Sequence, residues 1–260
     1  MQLPKIAIPY SIVASLLMFS HASWAQPASV GNPMPEESWS VGAGVSVSSS
    51  PYTGMKTKVT ALPSVNYANS WLRFDGLSAN VKLPIPSQKV SYSLRANYAL
   101  SDGYKASDAP ILNGMDKRKA SLWVGAGLRM PTQALNYSLD VSTDALGYSK
   151  GTQAKLQVDK NFRIGKTVIT PRLSTTWLDR KYVDYYYGVK DTEVTANRSR
   201  YKGKSTMNVE LGVKTTYTFN PHHSVSLDVS AVMLGSQIKN SPLVSDRTQL
   251  RMRTWYAYTF

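Results

Sequence analysis

A repeated two-residue alternation constrains this chain more than any other feature in it. Val90, Tyr92, Leu94, Ala96, Tyr98 and Leu100 alternate with Lys89, Ser91, Ser93, Arg95, Asn97 and Ala99. The same pattern returns from Ala120 to Met130, Leu135 to Ala145, Met207 to Phe219 and Val225 to Met233. A strand points successive side chains to opposite faces, so each run has one apolar and one polar face. The runs extend for about 10–14 residues, where globular strands average about 5–6. That length covers the roughly 9–11 residues a tilted strand needs to cross a bilayer. Ser, Thr, Asn and Gly dominate the polar faces, with isolated charges between them. Such a face suits a wet, crowded lumen better than bulk water. Backbone groups in lipid must all be paired, so the sheet has to close on itself. The chain is expected to be all-β, a single-chain antiparallel transmembrane β-barrel over residues 38–260. A soluble periplasmic β-protein is the alternative.

The last eleven residues fit the same reading. Leu250, Met252, Tyr256, Tyr258 and Phe260 share one face, and Arg251, Arg253, Trp255, Ala257 and Thr259 share the other. Aromatic rings crowd the C-terminal end of the apolar face, where headgroup-level rings of a lipid-facing strand collect. A chain stopping on Phe after such a strand resembles bacterial outer-membrane proteins.

Residues 1–25 read as a secretory signal. Lys5 gives a thin positive start, Ile12 to Phe19 a short apolar core, and Ser23-Trp24-Ala25 a small-residue cleavage site. The apolar run is far shorter than the ~20 residues of a spanning helix. Residues 26–37, rich in Pro and small polar side chains, read as a periplasmic lead-in. Cysteine is absent, so the fold must close by packing and hydrogen bonds without disulfides. The formal charge is +14. In a secreted membrane chain that excess is expected to serve lipid and lumen electrostatics, with no nucleic acid as partner.

Connections alternate in length. Short ones run from Met130 to Ala134, Arg163 to Lys166 and Phe219 to His223; long ones run from Ser101 to Lys117, Asp179 to Lys204 and Gly235 to Thr248. Short periplasmic turns and longer extracellular loops are the habit of outer-membrane barrels. About eleven strands can be counted, and even numbers are the rule, so ten to twelve are expected, with twelve preferred. Counting is hardest between Ser48 and Pro86. Pro51, Pro63, Pro84 and Pro86 interrupt pairing there, and the alternation slips at Asp75-Gly76, as a bulge or split strand would make it.

Several of these stretches, in this order, resemble the MipA/OmpV family (MltA-interacting protein). They are Pro51-Tyr52-Thr53-Gly54, Leu62-Pro63-Ser64-Val65-Asn66-Tyr67, an aromatic hairpin around Trp71 and Phe74, Tyr185-Tyr186-Tyr187-Gly188-Val189, Ser241-Pro242-Leu243-Val244 and the terminal Tyr-x-Phe. The resemblance covers essentially the whole mature chain. It implies a barrel in the outer membrane of Gram-negative cells. It further implies a scaffold joining a lytic murein transglycosylase to a murein synthase, or a porin-like role in envelope permeability. The family has no agreed catalytic residues to carry over, and no cofactor is expected.

The residues themselves offer little catalysis. His222 and His223 sit next to Pro221 in a short turn, point opposite ways on a strand and read as turn residues. Asp140, Asp144, Asp159, Glu210 and Asp228 fall on inward faces and are expected to pair with Arg95, Arg129, Arg172, Lys214, Arg251 and Arg253. The functional alternative makes Arg95, Arg129, Arg172, Arg251 and Arg253 a constriction favouring anions. Tyr182 to Tyr187 lies in a basic loop with three readings: it grips lipopolysaccharide phosphates, folds inwards as a plug against the lumenal carboxylates, or simply packs on its own tyrosines at the barrel rim. The expectation is therefore a non-enzymatic scaffold, with a narrow channel as its rival.

Overall fold

A computed structural model describes residues 37–87, 89–99 and 102–260, apart from the Leu62 side chain. The expected signal and most of the lead-in fall in residues 1–36, outside the described residues. Strands begin with β1 (Glu37–Ser48), β2 (Lys58–Asn69), β3 (Leu72–Asp75), β4 (Ser78–Lys82) and β5 (Ser91–Ala99). β6 (Ser121–Pro131), β7 (Asn136–Asp144), β8 (Thr152–Asp159) and β9 (Phe162–Ile164) follow. β10 (Thr167–Leu178), β11 (Thr206–Asn220), β12 (His223–Met233) and β13 (Thr248–Thr259) complete the wall.

Each strand pairs antiparallel with its sequence neighbour, and β13 returns to β1 with Ser40 opposite Thr259 and Ser48 opposite Arg251. β8 and β9 share one edge of β10, with Asp159 opposite Arg172 and Phe162 opposite Ile169. They are therefore one stave broken at Lys160-Asn161, and the closed antiparallel barrel has 12 strands around its circumference. That is the preferred count. The slip at Asp75-Gly76 is neither a bulge nor a split strand. It is a tight turn from β3 into β4, with Gly76 at φ 55° where an L side chain would be strained.

Alternation sorts the side chains as read from the sequence. Val41, Leu94, Val141, Leu173, Leu211, Val229 and Met252 all project outward and are exposed. Rings gather at the periplasmic end, including Trp39 against Tyr67 at 4.5 Å, Tyr217 against Phe219 at 4.9 Å and Tyr258 against Phe260 at 5.1 Å. They form the aromatic girdle that anchors a barrel at the headgroups. No helix among the described residues is long and apolar enough to cross a membrane.

The buried apolar cluster does not lie between strands. It lies in the connections on the extracellular side, joined by the lumen-facing strand ends Trp123, Leu178 and Val232. Two short helices belong to it, α1 (Arg180–Tyr187) and α2 (Ser236–Lys239). Sequence alternation gives no sign of α1. The Asp179 carboxylate starts it by accepting from the Tyr182 N–H at 2.8 Å, an N-cap that satisfies one orphan donor.

Candidate functional site

The lumen is crossed by a ladder of ion pairs. Arg95 meets Asp140 at 2.5 Å, and Arg129 approaches Asp159 at 3.9 Å. Arg172 lies at the centre, reaching Asp228 at 2.7 Å and Glu210 at 3.0 Å. Lys155 on β8 reaches Glu210 on β11 at 3.5 Å, past the intervening strand β10. Glycines make room for these long side chains. A methyl group at Gly127 would collide with Asp140 Oδ1 and Arg95 Nε, and one at Gly212 would collide with the Arg172 guanidinium. In a low-dielectric interior such pairs hold together only with close geometry and additional hydrogen bonds. Arg172 has both, since its two terminal nitrogens donate to the two Asp228 oxygens at 2.7 and 2.9 Å.

The expected pairing needs correction at four residues. Asp144 makes no ion pair among the described residues. It accepts from Ser121 Oγ, from the Ser149 N–H at 2.6 Å and hydroxyl at 2.8 Å, and from the Lys150 N–H at 3.1 Å. A carboxylate at the end of a strand is closer to the turn's orphan N–H groups than to the lumen's cations. Lys214 and Arg253 both sit opposite Asp228 in register, yet Arg172 takes both of its oxygens. Arg251 donates to Gln249 Oε1 at 2.9 Å. Among the described residues, Lys214, Arg251 and Arg253 make no ion pair. Lys155 escaped notice in the sequence although its signal was present. Gln153, Lys155, Gln157 and Asp159 alternate with Ala154, Leu156 and Val158.

Above the ladder the extracellular connections interlock as a cap. Tyr52 Oη donates to the Tyr186 carbonyl at 3.0 Å, and its ring stacks on Tyr187 at 5.5 Å. Ser241 Oγ donates to the Tyr187 carbonyl at 2.7 Å, and Tyr201 Oη donates to the Gln237 carbonyl at 2.6 Å. The loop motifs picked out by resemblance thus meet in space. Tyr52, Tyr186, Tyr187 and Leu243 are all buried, Tyr185 packs against them, and Gly188 ends α1. Pro51 accepts from the Ser245 N–H at 3.1 Å, while Gly54 at φ 75° turns the loop toward Pro110.

The Arg118 guanidinium locks the cap. Its Nη2 donates to both Glu193 oxygens at 2.9 and 2.8 Å, and its Nε donates to the Tyr185 carbonyl at 2.7 Å. Burial alone would raise the Glu193 carboxyl. Backbone N–H groups of Lys190 and Asp116, then Arg118, outweigh it and hold the carboxyl below its ordinary value. Burial pushes the Tyr52 and Tyr182 phenols well up, so both stay neutral hydrogen-bond donors. Since Tyr182 packs on the lumen-facing Trp123 at 5.6 Å, α1 sits in the extracellular mouth of the barrel. Much of the basic loop's charge stays on its outer surface. Arg200 pairs with Asp191 at 3.1 Å and Lys190 with Asp116 at 2.7 Å, all four exposed.

The two histidines are held in the β11–β12 turn. His222 Nδ1 lies 2.8 Å from the Thr259 carbonyl and His223 Nδ1 lies 2.6 Å from Tyr256 Oη.

A closed 12-strand barrel with an apolar outer band, an aromatic girdle and an ion-paired lumen is an outer-membrane β-barrel. The family model of the MltA-interacting protein MipA matches residues 41–260, and the chain belongs to that family. The MltA-interacting protein of Escherichia coli K12 is 25% identical over 229 residues, covering 86% of this chain and 91% of that one. Outer membrane protein OmpV of Vibrio cholerae is 29% identical over 157 residues, or 60% of this chain and 61% of its own length. The chain thus matches about three fifths of that Vibrio relative. An outer membrane channel of Pseudomonas putida F1 superposes with a TM-score of 0.46 at 9% identity, covering 91% of this chain and 100% of that one.

Proposed function

We propose that this protein is a non-enzymatic anchor that holds murein-remodelling enzymes at the outer membrane. The observation that carries this reading is the cap. It fills the extracellular mouth with buried tyrosines and a buried Arg118–Glu193 pair, which suits a structural barrel better than an open pore. The periplasmic rim, with the turns after Pro131, Ile164 and Asn220, is then the surface left for partners. The E. coli relative's name supports a murein transglycosylase as one of them. Refolded protein in liposomes should retain a lytic murein transglycosylase in a sedimentation assay. Exchange of Thr132-Gln133-Ala134 for a minimal turn should weaken that retention. Retention no better than with an unrelated barrel would overturn the reading.

A second reading rests on Arg251 and Arg253, which face the lumen beside Arg172 without ion pairs among the described residues. In it the barrel is a narrow channel favouring anions, with Arg95 and Arg129 also on lumenal faces. Planar-bilayer recording discriminates between the two. Steady anion-selective steps that shrink on Arg253→Gln support the channel, and silence from demonstrably inserted protein removes it.

A further inference from the structure

One side of the lumen carries more cations than its carboxylates can hold. Lys155, Arg172, Lys214, Arg251 and Arg253 gather around two carboxylates, Glu210 and Asp228. Arg172 takes both Asp228 oxygens, at 2.7 and 2.9 Å, and Glu210 Oε1 at 3.0 Å. Lys155 reaches the remaining oxygen, Glu210 Oε2, at 3.5 Å. Every carboxylate oxygen of this group is thus engaged before Lys214, Arg251 and Arg253 are reached. Asp75 faces Lys214 from across the lumen, but Arg73 lies beside it on the same strand face. Arg251 donates Nη2 to Gln249, a neutral acceptor. Arg253 has Arg251 as its strongest charged neighbour, ahead of Asp228 and Glu210. Like charges this close, in a wall backed by lipid, are relieved by an anion between them.

The surface beneath these cations is shaped as well. Trp255 follows Arg253 on the same inward face, one step nearer the periplasm. Gly44 stands opposite it on β1, and the indole reaches over to Gly42. A methyl group at Gly42 would meet Trp255 Nε1 at 2.8 Å and Cε2 at 3.3 Å. The two glycines therefore let the indole lie against the β1 backbone. The ring stays half-buried, so part of it faces lumenal water. Thr216, Ser226 and Trp255 share one line of pairing, and the two hydroxyls are hydrogen-bonded at 2.9 Å. From there to the periplasmic rim, β11 and β12 turn Thr218 and Ser224 inward and no charge. At the other end the cap fills the mouth, with Tyr182 and Tyr187 within electrostatic reach of Arg251. Approach to these cations is thus from the periplasm.

We propose that the lumen beside β13 is a binding site, entered from the periplasm, for a small sugar acid. The ligand is a hydroxylated ring bearing a carboxylate or a phosphate. Arg251 and Arg253 leave one strand face about 7 Å apart, and their guanidinium forks converge on the anionic group. Lys214 adds a third positive charge from β11. The ring packs on the Trp255 indole, and its hydroxyls meet Thr216 and Ser226. A bare inorganic anion uses the cations alone, and a neutral sugar uses the platform alone. The site shares its unpaired arginines with the channel reading, yet it requires only retention of the ligand, with no passage through the cap. It does not depend on the anchor reading.

Titration calorimetry of the folded protein in detergent micelles tests this with glucuronate, glucose 6-phosphate, glucose and inorganic phosphate. Both sugar acids should bind, and the tighter one identifies the anionic group. Glucose should not bind, and phosphate should bind about tenfold more weakly than glucose 6-phosphate. Arg253→Gln should weaken glucuronate by about tenfold. Trp255→Ala should weaken both sugar acids while leaving phosphate unchanged, a split that a misfolded variant does not give. The chain has no cysteine, so Ser224→Cys places a clean reporter on the approach, outside the proposed contacts. Glucuronate should slow its modification by a methanethiosulfonate several-fold. Equal affinity for glucose and glucuronate overturns the proposal, as does phosphate binding as tightly as glucose 6-phosphate. Absence of binding by protein that conducts anions removes the site and leaves the channel reading. Binding by protein that is silent in bilayers removes the channel and supports the site.

Discussion

The extracellular cap and the wall beneath it solve the problem of burial in opposite ways. The cap is built like a small globular protein, with Leu112, Val183, Ile238 and Leu243 fully buried and polar groups outside. The wall is inverted, with Leu211, Val229 and Met252 exposed outward and its charges facing in. Water drives the cap together, and its removal costs the usual transfer and cavity energies. Lipid surrounds the wall, so outward truncation changes little, and the wall depends on hydrogen bonding and lumenal ion pairing. One chain therefore holds two units that respond to different perturbations.

The largest separation is expected at Arg118→Met. It leaves Glu193 buried without its cation, a loss of about 3–5 kcal/mol from the cap. Hydrogen exchange should accelerate across residues 180–201 while the strands stay protected; equal loss in both would show that cap and wall unfold as one. Acid reaches the same pair. The Glu193 carboxyl is held below its ordinary value of 4.5, so its contribution is complete above that pH and disappears as pH falls through the lowered value. Protection factors in the cap, which are corrected for the intrinsic exchange rate at each pH, should fall over that window and not above it.

Leu112→Ala should cost the cap about 2–5 kcal/mol. The same truncation at Leu211, equally large but facing lipid, should leave the urea midpoint of the barrel within error. Val229→Arg reverses the comparison. It should destabilise the wall by about 2–4 kcal/mol if the residue lies near the bilayer midplane, measured by refolding into lipid, without touching the cap. The smallest effect is Tyr52→Phe, which removes one hydrogen bond to the Tyr186 carbonyl and should cost about 1 kcal/mol. A cost near zero there would mean that ring stacking on Tyr187, and not the hydroxyl, joins the two loops.

How much of this was readable in advance follows the same division. The wall is local: alternation in β5, β6, β11 and β12 fixes which side chains face lipid, and pairing with neighbours follows from short turns. β3 and β4 resisted because strands of four and five residues carry too few alternations to stand out. The cap is nonlocal. Tyr52 and Tyr186 are 134 residues apart, and nothing near either one announces the other. The lumenal pairs lie between. Opposite charges on inward faces were legible, but the choice of Arg172 over Arg253 as the partner of Asp228 depends on how side chains cross the lumen.

The seam between β1 and β13 has a consequence in time. It joins Ser40 to Thr259, the two ends of the strand order, and β1 and β12 each keep an open edge until β13 arrives between them. Every other seam is a hairpin or near-hairpin that can zip soon after its strands emerge. Closure of the ring is therefore the slow, last event, carrying the greatest sequence separation in the molecule. Until it happens, the nascent sheet is an open ribbon whose two free edges need protection from every other open ribbon in the periplasm.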